Sequence, residues 1–219
     1  MTKKIAVILA GCGRWDGSEI HESVLTLLSI TQNGGSYQCF SLDKDQYQVM
    51  NHLSEKPVPQ EKRNMLIESA RIARGDVKSI SELNVNNFDA LIIPGGNGTA
   101  FNLFSLAYKG NDYSVDESVK NLCLNFTQLK KPIGFICIAP AMIPIIYGSS
   151  VSFTIGDDQG LIDLLETKGA KHFKHNVNEI HIDNTNKVVS TPAYMLAQNI
   201  GEAYTGIKKL VDQIFLFLK

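Results

Sequence analysis

Cys137 is the residue with the clearest chemical potential in this sequence. It closes the apolar run PIGFIC (residues 132–137), and a helical pattern over 138–147 follows at once. A side chain at so sharp a strand–turn–helix junction stands at a sheet edge, where the amides of the following helix face it and favour a thiolate. Gly134 and Ala139, both small, ease such a turn. Position alone fits a buried core thiol equally well, because free cysteines are often interior.

Three further features converge on the same chemistry. PGGNG (94–98) supplies glycine-permitted turns, and the amides of Gly95, Gly96 and Ile138 are candidates to receive a developing oxyanion or a substrate oxygen. A plain tight turn explains the same letters. Glu19 and Glu22 stand at i and i+3 of a helix start, on one face. A carboxyl that reaches a thiolate has a raised pKa and can shuttle a proton. Acids in a first helical turn also simply complement the helix dipole, and that reading is the stronger one for residues taken alone. Cys12, in the glycine loop GCGRWDG, is expected to line the same pocket without covalent chemistry.

Other chemistries fit less well. GCGRWDG does not match G-x-G-x-x-G, so a dinucleotide site has little support. His21, His52, His172, His175 and His181 show no metal spacing. His172 and His175 are i and i+3 but lack an evident third ligand, which predicts solvated surface histidines. Cys39 and Cys123 read as small core hydrophobes, and the cysteine spacing suits neither zinc nor a disulfide framework.

The elements that must position these residues alternate. Residues 4–10 read as a first strand. Residues 19–33 read as a helix with Ile20, Val24, Leu27 and Leu28 on its apolar stripe, stopped by Gly34-Gly35. YQCFS is a second strand, 46–53 is ambiguous between loop and hairpin arm, and 63–74 is helical with Met65, Ile67, Ala70 and Ile72 on one side. DALIIPGG (89–96) is a strand and turn, 115–129 a helix, PIGFIC a strand, and VSFTI and KVVS further strands, before a closing helix over 201–218. Near-continuous apolar strands alternating with helices predict an α/β fold, with a mainly parallel sheet covered on both faces. No linker or repeat divides residues 1–219, so one domain is expected.

Composition narrows the partners. Hydrophobic residues make up 44% and charged residues 20%, with a net charge of −1. No basic surface is on offer, which argues against nucleic acid or anionic membrane as a partner. Nothing reaches the ~20 apolar residues of a membrane span. Lys3-Lys4, the run from Ile5 to Ala10 and then Gly11-Cys12 imitate a lipoprotein signal. The run is shorter than the ~7–15 residues such a signal needs, and a first strand ending in a glycine loop explains it better. A cytoplasmic protein is expected by default.

With cysteine, glycine turn and acids in view, the sequence becomes recognisable. GCGRWDGSEIHE, RNMLIESARIARG, DALIIPGGNG, KPIGFICIAPAMIP and STPAYMLAQNI closely resemble the ElbB-like isoprenoid-biosynthesis glyoxalases, also called enhancing-lycopene-biosynthesis proteins. These are a branch of the ThiJ/PfpI superfamily with a class I glutamine amidotransferase-like fold. The resemblance runs from Lys4 to the final helix. It implies a flavodoxin-like three-layer sandwich, a homodimer, Cys137 as elbow nucleophile and a first-helix glutamate close to its sulfur, with Glu22 favoured and Glu19 as alternate. It also implies a glyoxalase III-like lyase that converts glyoxal to glycolate without cofactor, with a competing deglycase interpretation.

Departures from the superfamily matter. Many relatives carry a histidine directly after the cysteine, where this chain has Ile138. Others carry one in the segment corresponding to FTIGDD (153–158), which has none, and the late H-x-E of amidotransferase triads is missing too. Amide hydrolysis through a Cys–His pair is therefore unsupported. A cysteine–glutamate pair acting on a small 2-oxoaldehyde is expected: a Cys137 hemithioacetal, an enediol proton relay through Glu22, then a slow thioester hydrolysis. The rival from another class is a non-catalytic redox sensor or regulator, in which a low-pKa Cys137 is oxidised to a sulfinic acid.

Overall fold

Lys4–Leu9 forms β1, and every residue of it after Lys4 is buried. The computed structural model describes residues 2–219. The chain continues through α1 (Ile20–Gln32), β2 (Ser36–Ser41), β3 (Met50–Asn51), β4 (Lys56–Pro57), α2 (Met65–Ile72), β5 (Val77–Ser79) and β6 (Ala90–Ile93). Then come α3 (Asn97–Asn102), α4 (Leu106–Lys109), α5 (Glu117–Gln128), β7 (Ile133–Ile136), α6 (Ile143–Tyr147), β8 (Ser152–Phe153) and α7 (Gln159–Glu166). The chain ends with β9 (Lys171–His172), β10 (His181–Asp183), β11 (Val188–Thr191) and α8 (Ile200–Phe217).

Seven strands form the central sheet in the order β10-β11-β7-β6-β1-β2-β5. All neighbours are parallel except β10, which runs antiparallel to β11 at one edge. Alternation along β1 feeds two cores. Ile5, Val7 and Leu9 pack with Ile30 of α1 and with Ile207, Leu210 and Ile214 of α8. Ala6, Ile8 and Ala10 pack with Val119 and Phe126 of α5, Ile143 of α6 and Leu165 of α7. Both faces of the sheet are thus buried, which is why its strands read as unbroken apolar runs. No helix among the described residues is long and apolar enough to cross a membrane.

Several expected details are corrected. In α1, Ile20, Val24 and Leu28 face outward, while Ser23, Leu25, Thr26, Ser29 and Ile30 are buried. The hydroxyls of Ser23, Thr26 and Ser29 donate to the carbonyls of Glu19, Glu22 and Leu25 one turn back, each at 2.7 Å. Satisfied on their own helix, they cost little to bury, and so the small polar face wins the interior. In α2, Ile67 is exposed, and Glu68 and Ser69 lie inside with Met65 and Ile72.

Residues 138–147 are not one helix. Ala139–Met142 is a 3-10 turn and α6 follows it. Pro140 and Pro144 each lack an N–H, which breaks a continuous α-helical ladder there. VSFTI contributes only β8, which pairs with β9 outside the central sheet. The ambiguous stretch 46–53 does supply a hairpin arm, since β3 pairs antiparallel with β4. Short polar strands β5 and β10 and helix α7 are additions that the apolar pattern does not announce.

Candidate active site

Cys137 follows the last residue of β7 with φ at +63°, a left-handed conformation that a β-carbon disfavours. Its N–H donates to the carbonyl of Thr191 on the neighbouring β11 at 3.0 Å, which fixes the strained turn to the sheet. The side chain is 7% exposed. Backbone N–H groups of Gly96 and Ile138 both donate to its sulfur.

The partner of the sulfur is Glu22, which has no solvent exposure and shares a side-chain hydrogen bond with Cys137. One carboxyl oxygen, Oε2, accepts from Gly95 N–H at 3.0 Å, and Oε1 accepts from Tyr194 N–H at 3.3 Å. Burial, with the nearby charge of Glu19, pushes the Glu22 carboxyl up to about 8. Burial and then Glu22 push the Cys137 thiol well above its ordinary range, against the pull of the Gly96 and Ile138 amides. The net lowering expected for an elbow cysteine therefore does not occur. Desolvation beside an acid outweighs two amides, and the resting pair is acid and thiol.

Glu19 does a different job. Its side chain caps α1, accepting from the backbone N–H of Glu22 at 2.7 Å, while its own N–H donates to Gly95 O at 2.9 Å. Gly95 is also reassigned, since its amide holds Glu22 and is not turned to the oxyanion. A β-carbon at Gly95 would lie 2.6 Å from Cys137 Cβ and 2.9 Å from Glu22 Oε2, so only glycine lets acid and thiol meet. Gly96 sits at φ +108°, a conformation that turns its amide toward the sulfur and caps α3.

A cavity of about 530 Å³ opens over the pair, lined among others by Arg14, His21, Asn97, Tyr194 and Gln198 as well as Cys137. Cys12 is not on its wall, contrary to expectation. It packs against the core cluster that includes Leu9 and Cys137, and burial with the Glu68 charge raises its thiol. Cys39 and Cys123 are core thiols, each pushed up to about 12 by burial. His21 and Tyr194 were missed as site residues, although both fall inside recognisable motifs. Their weak signal is that His21 adjoins Glu22, and that Tyr194 comes shortly after the end of the KVVS strand.

The histidine pair at 172 and 175 is not simply solvated. His175 Nε2 lies 3.2 Å from His181 Nδ1, and His181 Nε2 lies 2.7 Å from Ser152 Oγ. Burial, with His175 beside it, drives His181 down to about 4. No group of three or more histidine, cysteine or acidic residues among the described residues is placed to hold a metal ion.

Known proteins resemble this chain over nearly its whole length. A human protein named glutamine amidotransferase-like class 1 domain-containing protein 3, mitochondrial, is 38% identical over 220 residues, covering 96% of this chain and 82% of its own length. The chain belongs to the ES1 family of class 1 glutamine amidotransferase-like proteins. The rat ES1 protein homolog, mitochondrial, is 37% identical over the same shares of both chains.

Among solved structures, an Ehrlichia chaffeensis isoprenoid biosynthesis protein with an amidotransferase-like domain superposes with a TM-score of 0.92 at 37% identity, covering 100% of each chain. This likeness gives the ES1-family chain its fold class, the flavodoxin-like class I glutamine amidotransferase-like sandwich, as expected. No family model matches the chain.

Proposed function

We propose that the protein is a cofactor-independent glyoxalase acting on glyoxal or a related small 2-oxoaldehyde. The observation that carries this reading is the buried Glu22–Cys137 pair, with Glu22 at about 8. A carboxyl poised there both gives and takes a proton near neutrality, which an isomerisation through an enediol requires. The Cys137 sulfur bonds to one aldehyde carbon, whose oxygen takes the proton, giving a hemithioacetal. Glu22, in its ionised form, removes the hydrogen from that carbon and delivers it as a proton to the neighbouring carbon, while the hydroxyl proton of the hemithioacetal passes to the other oxygen through the enediol. The product is a glycolyl thioester, and water releases glycolate and restores the thiol. Gly96 and Ile138 amides, already aimed at the sulfur, are suited to an oxyanion on the adjoining carbon.

The redox-sensor rival asks for a low-pKa thiolate, and burial of Cys137 beside an acid works against it. A deglycase uses the same pair on a glycated amine, so the two readings separate by substrate. A link to isoprenoid metabolism is supported only by the name of the Ehrlichia chaffeensis protein. A second copy of the chain would find an apolar stripe, Ile20, Val24 and Leu28, beside the cavity, which supports the homodimer. A cytoplasmic location fits four free cysteines, as does any other reducing compartment, and the human and rat relatives are named mitochondrial.

The test is the product formed from glyoxal by purified protein in amine-free buffer. Glycolate should appear with wild type and vanish with Cys137→Ser, while Cys39→Ser and Cys123→Ser stay active. Glycolate formation by Cys137→Ser at the wild-type rate sinks the covalent mechanism.

A further inference from the structure

We infer that His21, held by Tyr194, accepts the proton from water in the hydrolytic half of the reaction. The inference rests on the glyoxalase reading for its substrate but concerns a separate step. No histidine follows Cys137, because residue 138 is isoleucine. An imidazole nevertheless reaches the site from another element.

His21 and Glu22 are consecutive on α1, and neighbours on a helix point about 100° apart. Glu22 turns inward to the sulfur, and His21 forms part of the cavity wall that Cys137 also forms. The ring nitrogen Nδ1 of His21 lies 2.8 Å from the Tyr194 hydroxyl, with ring centroids 5.9 Å apart. Tyr194 therefore serves both helix residues, the acid through its backbone N–H and the imidazole through its oxygen.

The chain is distorted to bring Tyr194 there. Ala193 is fully buried and sits at φ +43°. Among the described residues, six that are not glycine have positive φ: Glu55, Arg74, Lys130, Lys187, Cys137 and Ala193. Of these, Cys137 and Ala193 are buried; Cys137 lines the cavity, and Ala193 directly precedes Tyr194, which lines it too. Strain of this kind persists where surrounding structure over-determines it, and it concentrates at functional sites.

The step balances without a co-reactant. Water oxygen bonds to the thioester carbon as its proton passes to His21 Nε2, and Nδ1–H is donated to the Tyr194 oxygen while the ring is charged. The carbon–sulfur bond then breaks, and the proton returns to Sγ. Burial and the charges of Glu19 and Glu22 raise the Tyr194 phenol, which keeps it protonated and leaves its lone pairs to accept Nδ1–H. This histidine answers the slow final step that the sequence predicts.

His21→Gln and Tyr194→Phe test the inference in two assays. With glyoxal, both variants should form the hydroxylamine-sensitive Cys137 thioester at close to the wild-type rate. Glycolate release should fall by ~10² or more in His21→Gln, and by a smaller factor in Tyr194→Phe. Added imidazole should restore part of the loss in His21→Gln. The second assay acetylates Cys137 with 4-nitrophenyl acetate and follows deacylation, which does not depend on glyoxal being a substrate. Deacylation should slow by the same factor in His21→Gln. Wild-type deacylation in that variant overturns the role of His21, whatever happens with glyoxal. If the wild type makes no glycolate but deacylation still needs His21, the glyoxalase reading fails and this inference stands.

Discussion

The Glu22 carboxyl and the Cys137 thiol share a hydrogen bond at the end of the central sheet, with Glu22 wholly out of solvent. Each partner is held by different backbone amides: Gly95 and Tyr194 hold the acid, and Gly96 and Ile138 the sulfur. Negative charge is therefore provided for on either group, while burial opposes it on both. A site built this way keeps its proton at rest and has a place for the charge once chemistry begins.

Stability should carry the signature of Glu22. Its carboxyl moves from an ordinary 4.5 to about 8 on folding, so between those values the native state binds the extra proton. Stability is then fullest below the unfolded value and is lost as pH rises toward the folded one, at up to about 1.4 kcal/mol per pH unit. Denaturant unfolding of wild type and Glu22→Gln from pH 5 to 8 isolates this slope. The difference between them should grow with pH in favour of the glutamine variant. A constant difference would mean that Glu22 ionises normally in the fold.

Alkylation of Cys137 should respond to the same substitution. Glu22 raises the thiol both by its charge and by its hydrogen bond. Glu22→Gln removes the charge, so the pH at which iodoacetamide labels Cys137 half-maximally should fall. Labelling of Cys12, whose thiol responds to the charges of Glu68, Arg71 and Asp16 and not to Glu22, should not move. An unchanged or higher midpoint for Cys137 contradicts the coupling.

Gly95→Ala should push the pair apart while leaving both members unsubstituted. The new β-carbon has backbone and Cys137 Cβ within 2.8 Å, so the turn must shift. A cost of ~1–3 kcal/mol in stability is expected for such overpacking, with turnover lost more completely than the fold. Normal activity in this variant would show that the close approach of acid and thiol is not needed.

The parallel sheet and the elbow were legible because both depend on apolar runs that end abruptly. PIGFIC and DALIIPGG declare β7 and β6 in their hydrophobicity, and the residues after them fall at the sheet edge by topology. The facing of α1 was not legible. Serine and threonine that bond back to their own helix look polar in sequence and behave as interior residues, so of the expected stripe Leu27 lies inside while Ile20, Val24 and Leu28 lie outside. The choice between Glu19 and Glu22 turned on which of them caps the helix, a geometric matter of one backbone N–H. His21 and Tyr194 are 173 positions apart, and no local pattern joins them. The left-handed turn at Ala193, invisible in the letters, immediately precedes the tyrosine that makes the contact.

The most direct measurement of the central claim is glycolate production from glyoxal by Glu22→Gln, compared with wild type and Glu19→Gln. Glutamine keeps the shape of Glu22 and one acceptor oxygen for a backbone N–H, but cannot pass a proton at useful rates. Hemithioacetal formation at Cys137 should survive while turnover falls by ~10²–10⁴. Glu19→Gln keeps a cap oxygen for Glu22 N–H and should retain most of its activity. Near-normal turnover in Glu22→Gln would contradict the account, because the buried acid would then not be the group that moves the proton.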